Sequence, residues 1–285
     1  MDKRVILNRM RKNPFFVVGS IAAVIVVVLV VFSPLFVQFD PNANSLTERF
    51  LPPDGFAYGL QGHILGTDQL GRDVFTRLLL GGRYSLAIAC GVVLLQTLVG
   101  TVLGILAGYF SGILDAVIMR ACEVFMAIPN LILAIAIMSV LGPSIMNLII
   151  VLTFSGWVNC CKVTRNNVRV IKGQEFVKAS RVLGAKGFHI MFRQIFPNVT
   201  THIIILASQR IGMTIIIEAA LSFLQLGISP PTPSWGNMIA AGRMYMTTQP
   251  WLVFAPGIAL MFAALAFNFL GDGIRDVLDP KRTVV

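Results

Sequence analysis

An all-α protein that crosses a membrane six times is the fold class this sequence predicts, on three observations. Of its 285 residues, 56% are hydrophobic and 13% charged, and the mean hydropathy is +0.79, outside the usual mix for a soluble globular domain. Six apolar runs, near 15–37, 86–108, 121–141, 144–163, 201–226 and 251–271, each match the roughly 20 residues that a helix needs to span a hydrocarbon core. The charges gather between these runs, so the net +10 reads as topology-setting lysine and arginine and calls for no nucleic acid.

The first run follows Lys3, Arg4, Arg9, Arg11 and Lys12. It is longer than the apolar part of a signal peptide, and no small-x-small cleavage site follows before Gln38, so it is expected to be retained. With the N-terminus inside, the segments on that side carry 17 Lys and Arg against five on the other, and Arg210 lies within a span. That bias places both termini and the segment from Cys161 to Thr200 in the cytoplasm.

Residues 38–85 form the longest segment on the opposite side. Pro41, Asn42, Asn44, Ser45, Pro52, Pro53, Asp54 and Gly55 give its first part loop chemistry. From Asp68 onward, Arg72, Asp73, Val74, Phe75, Arg77, Leu78 and Leu79 alternate charge and apolar bulk at helical spacing. This predicts a short amphipathic helix lying on the membrane surface before the second span. In that span, Gly100, Gly104 and Gly108 form a bare stripe for close helix packing. Pro129 in the third span, and Pro256 with Gly257 in the sixth, are expected to bend their helices.

The fifth span holds two charges, Arg210 and Glu218, eight residues and about 12 Å apart along an α-helix, too far for an easy direct pair. They are the candidates for a translocation path, with partners on other helices or in water. Glu123, near the start of the third span, has a simpler account in snorkelling to the headgroups. Cys90, Cys122, Cys160 and Cys161 lie in or beside spans, and His63, His189 and His202 are scattered. Neither set has metal-ligand spacing. No phosphate-binding loop, nucleophile elbow or zinc-protease motif occurs. The expectation is a non-catalytic subunit without cofactor or metal.

The polar interruption between the fourth and fifth spans reads as two short helices. Phe176, Ala179, Val182 and Leu183 share helical spacing, and Gly184 offers a left-handed C-terminal cap. Phe188, Met191, Phe192 and Ile195 then form a second apolar stripe, which Pro197 is expected to stop. An amphipathic pair lying on the inner leaflet would show the same features.

Four segments carry a family resemblance. Lys178, Ala179 and Ser180, then Gly184, then Gln194, Phe196 and Pro197 resemble the E-A-A, three residues, G, nine residues, I-x-L-P loop of binding-protein-dependent ABC importer permeases. Lys178, Ser180, Gln194 and Phe196 depart from that pattern. LGTDQLGRD at 65–73, ALSFLQLGISPPTPSWG at 220–236 and AFNFLGDGIRDVLDP at 266–280 are similar to signatures of the branch that takes up dipeptides, oligopeptides and nickel, specifically of its "C" type subunit.

The resemblance implies a type I ABC importer fold in a bacterial inner membrane. It divides the chain into an N-terminal part, 1–81, a transport domain, 82–275, and a cytoplasmic tail, 276–285. It further implies half of a pore shared with a homologous second permease, two ATP-binding subunits that hydrolyse the nucleotide, and an extracytoplasmic solute-binding protein. Phe176, Lys178, Ala179, Ser180, Gly184, Ala185 and Pro197 would form the ATPase-coupling loop. Scattered Met and His tilt the cargo toward a di- or oligopeptide over nickel. A secondary transporter using Arg210 and Glu218 as relay groups would more often show internal repeats, and none is visible.

Overall fold

The computed structural model describes residues 3–55, 57 and 62–278, with 3–7 described by backbone alone. Lys281 and Arg282, which the charge count included, lie outside the described residues, as do Asp279 and Pro280. Among the described residues the chain is helical, with one isolated β-bridge between Thr67 and Asp73. Five helices are long and apolar enough to cross a membrane, and a bent pair supplies a sixth pass.

Helix α1 (Lys3–Lys12) leads into α2 (Pro14–Val31), the first pass. Asn13 caps α2 by accepting from the Phe16 N–H at 2.9 Å, and Pro14 occupies the first turn, where its missing N–H has no intrahelical partner to lose. Val18, Ile21 and Val24 remain more than half exposed on α2, a face suited to lipid. A short turn of helix, α3 (Ser33–Phe36), ends the pass.

The second pass is α4 (Val74–Phe110), 37 residues without a break. The surface helix expected from Asp68 onward is therefore absent as a separate element. Its residues form a turn and the first turns of α4, and Arg72 and Arg77 are buried. The physical reason is that the arginines need no headgroups. Asp68 pairs with Arg72, and Arg77 donates to the Pro41 carbonyl at 2.7 Å.

The third pass begins at 112, earlier than the apolar run suggests. It consists of α5 (Gly112–Met126) and α6 (Asn130–Leu141), bent by 84° across the break that holds Pro129. Proline cannot donate to the helix ladder and restrains the residue before it, so this position carries the bend. Asp115 escapes a window chosen for apolarity because arginines from the next pass neutralise it.

The fourth pass, α7 (Ile145–Lys172), lies against α4 along the glycine stripe. A Cβ on Gly100 would come within 2.6 Å of the Cys160 Cβ, one on Gly104 within 2.6 Å of the Cys161 carbonyl, and one on Gly108 within 2.7 Å of the Val168 Cβ. The bare stripe is what lets the two backbones approach.

After α8 (Glu175–Val182) and α9 (Gly187–Ile190), a turn of π-helix at Met191–Ile195 runs directly into α10 (Phe196–Phe223), the fifth pass. Pro197 consequently begins a long helix where the sequence suggested that it ends a short one. Its ring would meet the carbonyl four residues back in a regular α-ladder, and the π turn immediately before it opens that ladder. Helix α11 (Trp235–Gly242) follows, then the sixth pass, α12 (Trp251–Leu278), with Pro256 inside it.

Alternation of the passes brings the N-terminus of α2, the C-terminus of α12 and α8 to one end of the bundle. Asn13 donates to Asp276 at that end. The core between α2, α4, α10, α11 and α12 contains Val26, Val30, Ala89, Ile215, Trp235 and Phe267. A second core, with Val92, Met138, Leu148, Val151 and Leu221, fills the space between α4, α6, α7 and α10.

Candidate functional site

Two features favour α8 as a helix. Glu175 stands in its first turn and Arg181 in its last, each matching the helix dipole. Its end is a Schellman motif: the Ala185 N–H donates to the Ser180 carbonyl at 3.0 Å and the Gly184 N–H to the Arg181 carbonyl at 3.0 Å. Gly184 adopts φ +83°, the left-handed conformation that a side chain disfavours.

One side chain of α8 is buried. Val177 enters a core with Val168, Ile171, Ile190, Ile195 and Val199. The rest of the apolar surface points outward: Phe176 is 42% exposed, and Val182 and Leu183 are each 87% exposed. Lys178, Ala179, Gly184 and Pro197 are exposed, while Ser180 and Ala185 are partly covered. Ser180 accepts a hydrogen bond from the Gln194 amide at 2.6 Å, which ties α8 to the π turn.

The platform under α8 is electrostatic. Asp115 of α5 accepts from Arg165 and Arg169 of α7, with one Arg165 Nη2 contact at 2.7 Å. One turn further on, the Lys172 ammonium donates to the Tyr109 carbonyl of α4 and lies 5.3 Å from the Tyr109 ring centroid. The last turns of α7 are thereby fixed to the α4–α5 junction just before the chain enters α8. Sequence reasoning missed Asp115 and Val177. A lone acid in an apolar helix facing Arg165 and Arg169, four apart on another helix, was the available signal.

The two charges of α10 prove to be unlike. Glu218 is fully buried; one carboxyl oxygen accepts from the Ser222 hydroxyl at 2.7 Å, and the same hydroxyl accepts from the Ile228 N–H at 3.3 Å. This holds the chain as it leaves α10. Arg210 is partly exposed at mid-helix, and the structure does not bring it together with Glu218.

At the opposite end, the first turns of α4, which directly follow 65–73, meet the segment 220–236. Arg77 reaches the Pro231 carbonyl at 3.4 Å, and the Trp235 indole N–H donates to the Leu78 carbonyl at 3.0 Å. Asp73 caps α4 through the Thr76 N–H and pairs with His63, which also stacks on Phe39. Ser234 and Asn237 cap α11 reciprocally. A cavity of about 270 Å³ lies here, lined by Asp68, Arg72, Arg77, Asn237 and Met238 among others. Among the described residues no cluster of three His, Cys, Asp or Glu could hold a metal ion.

Comparison with known proteins agrees with this arrangement. Residues 100–284 match the family described as binding-protein-dependent transport system inner membrane component. Residues 4–53 match the N-terminal transmembrane domain of oligopeptide transport permease C. The chain is 36% identical to the oligopeptide transport system permease protein OppC of Bacillus subtilis, over 96% of this chain and 88% of that one. It is 36% identical to the dipeptide transport system permease protein DppC of Haemophilus influenzae, over 95% and 92%. To the glutathione transport system permease protein GsiD of Pectobacterium atrosepticum it is 42% identical, over 77% and 73%. With six passes and matches along nearly its whole length, this multi-pass inner-membrane chain belongs to the family of binding-protein-dependent transport system inner membrane components.

Proposed function

We propose that this chain is the "C" type permease of an ATP-driven importer of di- or oligopeptides. Residues 82–275 form half of a pore completed by a homologous second permease. The outward-facing apolar surface of α8 carries the reading. A short helix that buries Val177 alone and presents Phe176, Val182 and Leu183 to solvent suits a groove on a partner. Both termini and α8 face the cytoplasm, where two ATP-binding subunits hydrolyse the nucleotide; a solute-binding protein delivers cargo from the other side.

Phe176, Lys178, Ala179, Ser180, Gly184, Ala185 and Pro197 form the coupling region. When ATP draws the ATP-binding subunits together, α8 follows. The Asp115 clamp and the continuous path into α10 pass that displacement to the spans, and the pore alternates between two states biased by contacts at each end.

The deciding measurement is uptake of a labelled dipeptide by the complete complex in liposomes, with ATP inside and binding protein outside. A cysteine at Val182 should also cross-link to an ATP-binding subunit. Uptake that proceeds without ATP would overturn the proposal.

A further inference from the structure

The first apolar run begins at 15 and the sixth ends at 271, and the structure holds these two ends side by side. A Cβ on Gly273 would collide with the Phe16 backbone, and one on Gly19 with the backbone of Leu270. The residues just beyond both runs, at 8–14 and 276–277, therefore stand at the level of the lipid headgroups. A cavity of about 470 Å³ lies there, lined by Asn8, Arg9, Lys12, Asn13, Pro14 and Asp276 among others.

The polar groups of this cavity fall into two sets. Asn13 is engaged within the fold: its Oδ1 caps α2 and its Nδ2 donates to Asp276 at 3.3 Å. The side chains of Asn8, Arg9 and Lys12 on α1 form no hydrogen bond or ion pair among the described residues. Two cations against one acid leave the cavity positive, and the exposed Arg11 and Arg275 strengthen the field around it. Asp272, the other acid in the last turns of α12, accepts from Gln209 at 2.9 Å.

The cavity also opens onto an apolar face. Pro14 shares one side of α2 with Val18, Ile21 and Ile25, spaced four, seven and eleven residues on, and these three are 55%, 57% and 45% exposed. Free phosphate has no use for such a surface. A phospholipid uses both parts: its phosphate meets guanidinium and ammonium, and its acyl chains lie along α2. Basic pockets at a membrane surface recognise anionic headgroups through this chemistry.

We propose that the α1–α2 elbow and the end of α12 hold one anionic phospholipid, its phosphate between Arg9 and Lys12 and its chains against α2. The lipid fills the seam between the first and last passes, where the fold itself leaves two cations unmatched.

The test titrates the complete complex in detergent with phosphatidylglycerol or phosphatidylcholine and counts retained lipid by native mass spectrometry. Arg9→Gln combined with Lys12→Gln should remove one tightly held phosphatidylglycerol per complex and leave phosphatidylcholine unchanged. Lys12→Gln alone alters a single exposed side chain and should weaken that binding about fivefold, the effect of one charge near the surface. Arg9→Lys with Lys12→Arg should keep it within twofold of the parent. Inorganic phosphate in excess should displace little of the lipid.

Equal phosphatidylglycerol retention by the parent and the glutamine variants would overturn the assignment. Displacement of the lipid by inorganic phosphate alone would overturn it in favour of a free-anion site. Loss of another subunit from either glutamine variant would do so in favour of a protein contact.

Discussion

The amide of Gln194 donates to the hydroxyl of Ser180 at 2.6 Å, joining two positions that both depart from the loop pattern of related permeases. Where that pattern has Ile and Ala, this chain has a hydrogen-bonded pair linking α8 to the π turn. The Gln194 carbonyl oxygen is buried and makes no bond among the described residues, so the amide depends on Ser180. Ser180→Ala should loosen the coupling region by about 1–2 kcal/mol, the cost of stranding a buried polar group. Adding Gln194→Ile should restore most of it. Hydrogen exchange over 175–195 reads both effects, and equal exchange in the single and double variants would contradict the pairing.

Gly184 and Ala179 separate backbone from surface. No atom lies within 4 Å of a Cβ built on Gly184, so substitution there is penalised by its φ of +83° alone. Gly184→Asp should cost about 1 kcal/mol locally, because Asp tolerates the left-handed region better than most residues. Ala179→Glu adds a charge to an exposed face and should leave folding unchanged. Both variants should insert into membranes and lose ATP-driven uptake. Normal uptake by either, with the ATP-binding subunits still attached, would remove α8 from the coupling role.

Gly104 and Gly257 offer a matched pair in membrane helices. Gly104→Ala forces a methyl against the Cys161 carbonyl and should lower stability by about 1–3 kcal/mol, the usual range for overpacking. Gly257 in α12 has open space around it, so Gly257→Ala should be neutral or gain up to about 1 kcal/mol from helix propensity. Thermal melting of the purified complex distinguishes them. Equal melting points would mean that α4 and α7 are less closely joined than the glycine stripe indicates.

The Asp115 clamp should respond unequally to removal of its members. Asp115→Asn leaves two arginine side chains facing each other without an acid between them, and breaking this partly buried pair should cost about 1–3 kcal/mol. Arg169 is 44% exposed, so Arg169→Gln should cost less than about 1 kcal/mol. Melting of the complex measures both changes. Equal effects from the two substitutions would show that Arg165 contributes nothing special.

Six passes were legible because an apolar run of about 20 residues has few alternatives. The Gly100–Gly104–Gly108 stripe was legible for a related reason: a row of missing side chains implies a neighbour. Arg77 was misjudged because its acceptors are the carbonyls of Pro41 and Pro231, which no residue pattern advertises. Asp115 was placed outside its span because hydropathy assigns a charge the same penalty whether or not Arg165 lies opposite. In the proposed coupling region the apolar spacing of α8 was visible. That Val177, and not Phe176, turns inward depends on how α7 delivers the chain at Gly173, which is tertiary information.

The run from Gly187 to Phe223 is continuous through the π turn at Met191–Ile195. Such a beam, about 55 Å long at 1.5 Å per residue, behaves like a lever with unequal arms when one point along it is gripped by neighbours. Gly212 lies so close to Asn268 and the Ala264 carbonyl of α12 that a side chain would collide there, so the grip falls about two-thirds of the way along the run. Tilting one arm swings the other in the opposite sense, so under the proposed alternation opening at one membrane face would accompany closing at the other without any signal having to travel between them.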